Sequence, residues 1–307
     1  MHQAQVQTWG QAPRCVTVPE LPPPAANESR IRVLAVAIHQ VVRSRATGTH
    51  YSSGSLPFVP GVDGIGELVE SGQKVYWLSM DTGCLAEYVN MPKRNVRTLP
   101  EGMNVVQAAA IVNPALSSWM AFQTRVTKPL RGEFSVLILG ATSASGRVAI
   151  TMARKFGAGR VVGVARNRAA LESLGLDDCI VAADKAEETD FSKLGDVDVI
   201  LDYVYGSVAV RALTALKSRV PTSYVHIGGL SREQDIMLPG AVLRSKNLTI
   251  RGSGPGAWAM HEVAESMDEL LEMVKSIPEQ PVRVAKFADV EKVWNEASSG
   301  GRLVFVP

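Results

Sequence analysis

Between Val16 and Glu101 the apolar positions come in short β-branched runs, IRVLAVAI (31–38) and KVYWL (74–78) among them, separated by Pro- and Gly-rich turn signals. That texture predicts an irregular, mostly antiparallel β domain. From Val106 to Phe122 the period changes, because VQAAAIVNPALSSWMAF is apolar at helical spacing. Pro114 is expected to divide this stretch into two helices, and a domain junction is placed here. Beyond it, apolar runs SVLILG (135–140), RVVGVA (160–165), DVILDY (198–203), SYVHIG (223–228) and NLTIRG (247–252) alternate with amphipathic stretches at 146–157, 168–175 and 208–217. Apolar strands followed by helices are the signature of βαβ units, so an α/β, doubly wound parallel sheet is predicted over 116–256. Another helix follows Gly256 with Val263, Met267, Leu270, Leu271 and Val274 on one face. The tail returns to strand, helix and strand, which assigns 257–307 to the same domain as 1–115.

Composition narrows the class of function. In 307 residues, 32 Lys and Arg against 30 Asp and Glu leave a net charge of +2, which argues against nucleic acid as a partner. With 46% hydrophobic residues the chain can bury sizeable cores. No apolar run reaches the roughly 18 residues of a membrane span, and MHQAQVQTWG lacks the charged and apolar regions of a secretory leader. Cys15, Cys84 and Cys179 are far apart and odd in number, so a cysteine-rich zinc lobe and a disulfide framework are not expected. A reducing cytoplasmic location, with no membrane partner, is the expectation.

The strongest chemical signal is the turn Gly140-Ala141-Thr142-Ser143-Ala144-Ser145-Gly146 between an apolar strand and a helix. Free backbone N–H groups and the positive helix end converge at such a junction, and small side chains let a pyrophosphate approach. A generic βα turn is the alternative, but the βαβ units that follow favour a dinucleotide. At the end of the next strand an acid would bind the ribose 2′-OH of NAD; here Arg166-Asn167-Arg168 stand instead. Guanidinium groups suit a 2′-phosphate, which points to NADPH, although two solvated arginines opening a surface helix would look the same. Tyr203 and the pair Gly228-Gly229 follow the next two strands at the edge where open α/β sheets hold ligands. Asp202 reads as a helix cap or a turn acid.

These residues, with PFVPGVDGIGEL (57–68), AEYV (86–89), Pro100-Glu101-Gly102, NPALSSW and LTIRGSGPG, carry a resemblance over nearly the whole chain. The sequence resembles the zinc-independent medium-chain dehydrogenase/reductases of the quinone oxidoreductase-like type. The resemblance implies a GroES-like β-rich domain that also takes the C-terminal tail, a Rossmann domain, NADPH held between them, and a homodimer. It also exposes departures. Gly61-Val62-Asp63 stands where zinc alcohol dehydrogenases carry Gly-His-Glu, so no metal site is expected. His39-Gln40-Val41-Val42 replaces the Asn-x-x-Asp of the quinone reductases, so the acid is lost and His39 stands in for the amide.

An NADPH enzyme without a metal needs an acceptor that takes hydride without a Lewis acid, and quinones and α,β-unsaturated carbonyls qualify. A hydrogen-bond donor then stabilises the developing oxygen charge. His39 is the first candidate donor, with a packed histidine bonded to backbone as the alternative. The resemblance makes Tyr51 a pocket-lining aromatic, against a plain surface-loop tyrosine. It also gives Ser117 the hydroxyl position that approaches the nicotinamide, against a simple cap at the start of a helix. Arg43 and Arg45 are expected on a solvated face, and Trp119 and Trp258 in the core or a wall. The sequence thus predicts an NADPH-dependent reductase of quinones or enones. The alternative is a non-catalytic NADPH-binding sensor or structural protein on the same fold, which the loss of the acid at Val42 supports.

Overall fold

The computed structural model describes residues 1–127, 132–296 and 301–307. The chain packs as two units, Met1–Asn113 with Ala264–Pro307, and Pro114–Val263. The sequence places these junctions after residues 115 and 256.

The first unit opens with a two-stranded antiparallel ribbon, β1 (His2–Gln5) and β2 (Arg14–Thr17). Then come β3 (Glu28–Ala37), α1 (Gln40–Ala46), β4 (Asp63–Leu68), β5 (Lys74–Leu78), β6 (Tyr88–Pro92) and β7 (Val96–Thr98). The long strand β3 is the hub, pairing antiparallel with both β4 and β6. Its alternating residues Ile31 and Val33 are fully buried in a core shared with Val75, Trp77, Leu85 and Met91. That alternation is the period-2 pattern of a half-buried strand.

Helix α2 (Val105–Met120) runs on through Pro114 and continues as a π-helical turn over Ala121–Arg125, so the predicted break is absent. Proline removes one backbone donor and crowds the preceding turn. Here the burial of Ala108–Val112 on one side and of Ala115, Leu116, Trp119 and Met120 on the other outweighs that cost. Val105–Arg125 is long and apolar enough to span a membrane by composition, yet 72% of its most apolar 18-residue window is buried inside the fold, which accounts for its apolarity.

The second unit follows as β8 (Ser135–Leu139), α3 (Ala144–Lys155), β9 (Arg160–Ala165), α4 (Arg168–Glu172), β10 (Asp178–Val181), β11 (Val199–Asp202), α5 (Gly206–Ala215), β12 (Thr222–His226), α6 (Gly240–Ser245) and β13 (Leu248–Gly252). Its six strands are all parallel, in the order β10-β9-β8-β11-β12-β13. Successive residues of β8 feed opposite cores: Val136 and Ile138 join one cluster, Leu137 and Leu139 the other. Both faces are covered, which explains the unbroken apolar runs. Each such aliphatic side chain contributes roughly 1.5–3 kcal/mol.

Helix α7 (Met260–Val274) buries Val263, Met267, Leu270, Leu271 and Val274, the predicted face. It leads back to β14 (Val282–Lys286), α8 (Val290–Val293) and β15 (Arg302–Val306) in the first unit. There β15 pairs antiparallel with β3 and parallel with β14, completing a sheet of order β14-β15-β3-β4-β5-β7. These are the β-rich domain with a returning tail and the doubly wound domain that the sequence predicts.

Candidate functional site

The turn after β8 sits where the strand order changes direction, since β9 lies on one side of β8 and β11 on the other. Gly140 takes φ +86°, a conformation that suits glycine, and a Cβ there would come within 2.9 Å of Val204 Cγ2. The N–H groups of Gly140 and Ala141 donate to Val164 O at 2.9 and 3.1 Å, tying the turn to β9. Ser143 caps α3 through Oγ, which accepts from the Gly146 N–H at 3.0 Å. At Gly146 a Cβ would stand 2.2 Å from Gly140 O, so the helix packs on the turn only with glycine there. The sequence expected the helix to begin near Gly146; it begins at Ala144. The N–H groups of Thr142, Ala144 and Ser145 make no hydrogen bond among the described residues, leaving three donors at the positive end of a 12-residue helix.

The three residues after β9 have separate employments. Asn167 caps α4, its Oδ1 accepting from the Ala170 N–H at 3.0 Å. Arg168 pairs with Glu172 at 3.4 Å across one helical turn, both exposed. Arg166 is exposed and has no hydrogen bond or ion pair among the described residues.

Asp202, at the end of β11, is fully buried and acts as a turn acid: Oδ1 accepts from the N–H groups of Val204 (2.8 Å) and Tyr205 (2.9 Å), and Oδ2 from the Tyr224 hydroxyl at 2.5 Å. Burial pushes its carboxyl upward, and these donors with His226 oppose the rise. The Tyr203 ring is buried and its hydroxyl lies 2.9 Å from Ser118 Oγ, anchoring the strand end to α2. Gly228 donates its N–H to Asp202 O at 3.1 Å, and a Cβ there would be 3.1 Å from Tyr203 O. Nothing lies within 4 Å of a Cβ placed on Gly229, so its backbone borders open space. Ser117 lies inside α2, not at a helix start, and donates to Pro114 O at 2.7 Å. A depression of about 220 Å³ between Phe191 and Arg219 lies at the opposite, amino edge of the sheet, away from all these groups.

In the first unit His39 is 3% exposed and precedes α1. Its Nε2 lies 3.2 Å from Asp63 Oδ1, and Asp63 Oδ2 accepts from the Tyr76 hydroxyl at 3.2 Å. Asp63 and Tyr76 are also buried, and the tail strand β15 places Arg302 beside them. Burial pushes the imidazole below its ordinary value, against the pull of Asp63. Tyr51 is 73% exposed, its ring 4.2 Å from that of His50. Arg45, expected in solvent, is instead buried and donates to Ser52 O at 3.0 Å and Met80 O at 2.5 Å. Arg43 likewise turns inward to Trp294 O at 2.6 Å. Asp63, Ser118, Tyr205 and His226 escaped the sequence reading, since each acquires its partners only through tertiary pairing. Among the described residues no three His, Cys, Asp or Glu side chains converge as a metal-ligand set.

No protein-family model matches the chain. It is 35% identical to the probable NADPH-dependent quinone reductase tdiC of Emericella nidulans, with the whole of both chains covered. In fold it matches the quinone oxidoreductase of Thermus thermophilus (TM-score 0.79, 24% identity, the whole of both chains). It also matches an alcohol dehydrogenase superfamily protein of Novosphingobium aromaticivorans (TM-score 0.83, 20% identity, all of this chain and 99% of that one). With a full-length relative at that identity, and with the two units folded as that resemblance implies, the chain belongs to the quinone oxidoreductase-like medium-chain dehydrogenase/reductases.

Proposed function

We propose that this protein is an NADPH-dependent oxidoreductase that passes hydride to a quinone or an α,β-unsaturated carbonyl without zinc. The observation that carries the reading is the donor set at the sheet's switch point. Three unused N–H groups face outward at the start of α3, and the unpartnered Arg166 follows the neighbouring strand. That set fits a pyrophosphate and a 2′-phosphate. The full-length relative named as an NADPH-dependent quinone reductase supports the same cofactor and acceptor. Zinc has no role in the proposal because Val62 occupies the position where the resemblance places a zinc-binding histidine.

Bound in this set, NADPH supplies the hydride. The chain's own work is to bind, orient and manage charge. Thr142, Ala144 and Ser145 N–H hold the pyrophosphate, Arg166 grips the 2′-phosphate, and the Tyr203–Ser118 bond fixes the strand end beside the turn. Hydride arriving at the acceptor leaves charge on an oxygen, which needs a donor. His39 Nε2 faces Asp63 Oδ1 at 3.2 Å without hydrogen-bond geometry, and a neutral ring protonated on that side keeps only a lone pair on Nδ1. His39 therefore donates only as the imidazolium, which Asp63 favours and burial disfavours, and solvent delivers the proton to the product. We further propose a homodimer in a reducing, cytoplasmic setting, in keeping with three cysteines that are all free thiols.

Steady-state NADPH oxidation with a panel of quinones and enones tests the function. Turnover with at least one acceptor, insensitive to chelator, is expected. Tight NADPH binding with no turnover on any acceptor would instead favour the non-catalytic alternative.

A further inference from the structure

One residue of the second unit holds a backbone conformation that its side chain disfavours. Tyr205, between β11 and α5, has φ +62° and ψ −168°. That region belongs almost wholly to glycine, since a Cβ there crowds the flanking peptides. Such strain persists only where the surroundings over-determine it, and it clusters at ligand sites.

The surroundings do over-determine it. On one side the buried Asp202 accepts from the Val204 and Tyr205 N–H groups and is itself gripped by Tyr224. On the other, the Glu233 carboxylate accepts from Ser207 N–H and Oγ at 2.7–3.2 Å. Gly206, at φ +73°, makes room for that clasp, because a Cβ there would stand 2.3 Å from Glu233 Oε1. The ring so presented lies 4.4 Å from the His226 ring at 38°, at the carboxyl end of β12.

Beyond its contact with His226 the ring is little used by the fold. Tyr205 is half-buried, joins neither hydrophobic core of the unit, and its hydroxyl makes no hydrogen bond among the described residues. A glycine would satisfy the backbone without strain. The adjoining segment also abuts the nucleotide turn, with the Val204, Tyr203 and Leu230 side chains the nearest neighbours of a Cβ on Gly140. A doubly wound sheet binds a dinucleotide as two mononucleotide halves, one on each side of the switch point. The half β10-β9-β8 carries the turn and Arg166, which leaves the edge of β11-β12-β13 for the other mononucleotide.

Resting on the NADPH reading above, we infer that Tyr205 and His226 are positioning residues for the nicotinamide ring of the cofactor. Tyr205 is held in a glycine conformation to present its ring there. His226, whose imidazole burial pushes below its ordinary value against the pull of Asp202, backs that ring.

The test compares two ligands that share the adenosine 2′-phosphate half, NADPH and 2′-phospho-ADP-ribose, by calorimetric titration of the full chain. For Tyr205→Gly the Kd for NADPH should rise about 3- to 10-fold, the worth of an aromatic contact, with that for 2′-phospho-ADP-ribose unchanged. Tyr205→Phe should restore NADPH affinity, and His226→Ala should repeat the selective loss. The melting temperature of Tyr205→Gly should not fall below that of the parent. An unchanged NADPH Kd in Tyr205→Gly, or equal loss of both ligands, overturns the inference. A parent protein that binds neither ligand overturns the NADPH reading itself.

Discussion

Arg166 and Arg168 flank the same strand end, yet only one has its guanidinium free. Arg168 is engaged with Glu172, an exposed i,i+4 pair whose own worth is small, whereas Arg166 has no competing carboxylate. A charge-assisted contact to phosphate is worth about 1.5–3 kcal/mol, so Arg166→Ala should weaken NADPH about tenfold or more and leave NADH nearly unchanged. Arg168→Ala should have a smaller effect on the NADPH:NADH ratio. Paired Kd titrations decide it, and a ratio unmoved by Arg166→Ala would place the phosphate elsewhere. The turn Gly140–Gly146 and Arg166 could be placed from the sequence because their positions are local, a strand-to-helix junction and a strand end; that Ser143 caps α3 and that Gly146 packs on Gly140 appeared only in the structure. Asp63, Tyr205 and Glu233 could not be so placed. Asp63 matters through His39, Glu233 through Ser207, and Tyr205 through a dihedral strain of roughly 1–3 kcal/mol that no side-chain pattern signals. His39 lay between these cases, since its motif position was visible but its buried carboxylate partner was not.

At the level of elements, apolar runs bounded by turns revealed β8, β9, β11, β12 and β13, because strands buried on both faces leave a continuous signature. β10 went unread: it is four residues long, opens on Asp178 directly after Asp177 and closes one edge of the sheet. α2 was misread at Pro114, where packing on both sides outweighs the lost hydrogen bond. The opposite edge strand, β13, pairs only with β12 and exposes Ile250, Arg251 and Gly252, with Ile250 43% accessible. An open edge carrying an exposed apolar residue is a template for another strand, and the symmetric way to satisfy it is a second copy of the same edge. The proposed homodimer therefore joins through β13. Light scattering at micromolar concentration should give twice the 33.0 kDa chain mass. Proline at Ile250, whose N–H points to the open side of the strand because Asn247 and Ser253 bond to β12, should shift the protein toward monomer, and a strict 33.0 kDa species for the parent would end the proposal.

Across the whole molecule, each unit carries one histidine beside a buried aspartate, His39 with Asp63 and His226 with Asp202. Burial lowers both imidazoles from their ordinary value of 6.5, and in both pairs the aspartate only partly offsets this. The folded protein therefore keeps these rings neutral over a range in which the unfolded chain has already taken up protons. When the unfolded state binds more protons, stability rises with pH, so it must fall as pH drops through about 6.5 toward the lower folded values. His39, at 3% exposure, has the stronger claim, and Arg302 beside it adds to the lowering. Melting temperatures measured from about pH 8 to about pH 5.5 should be flat at the upper end and decline below about 6.5. His39→Gln retains a donor for Asp63 but cannot titrate, so its curve should decline less over the same interval even if it starts lower. Parallel curves for parent and variant would mean that His39 is protonated equally in both states. In that case the pull of Asp63 at 3.2 Å would cancel the cost of burying the ring.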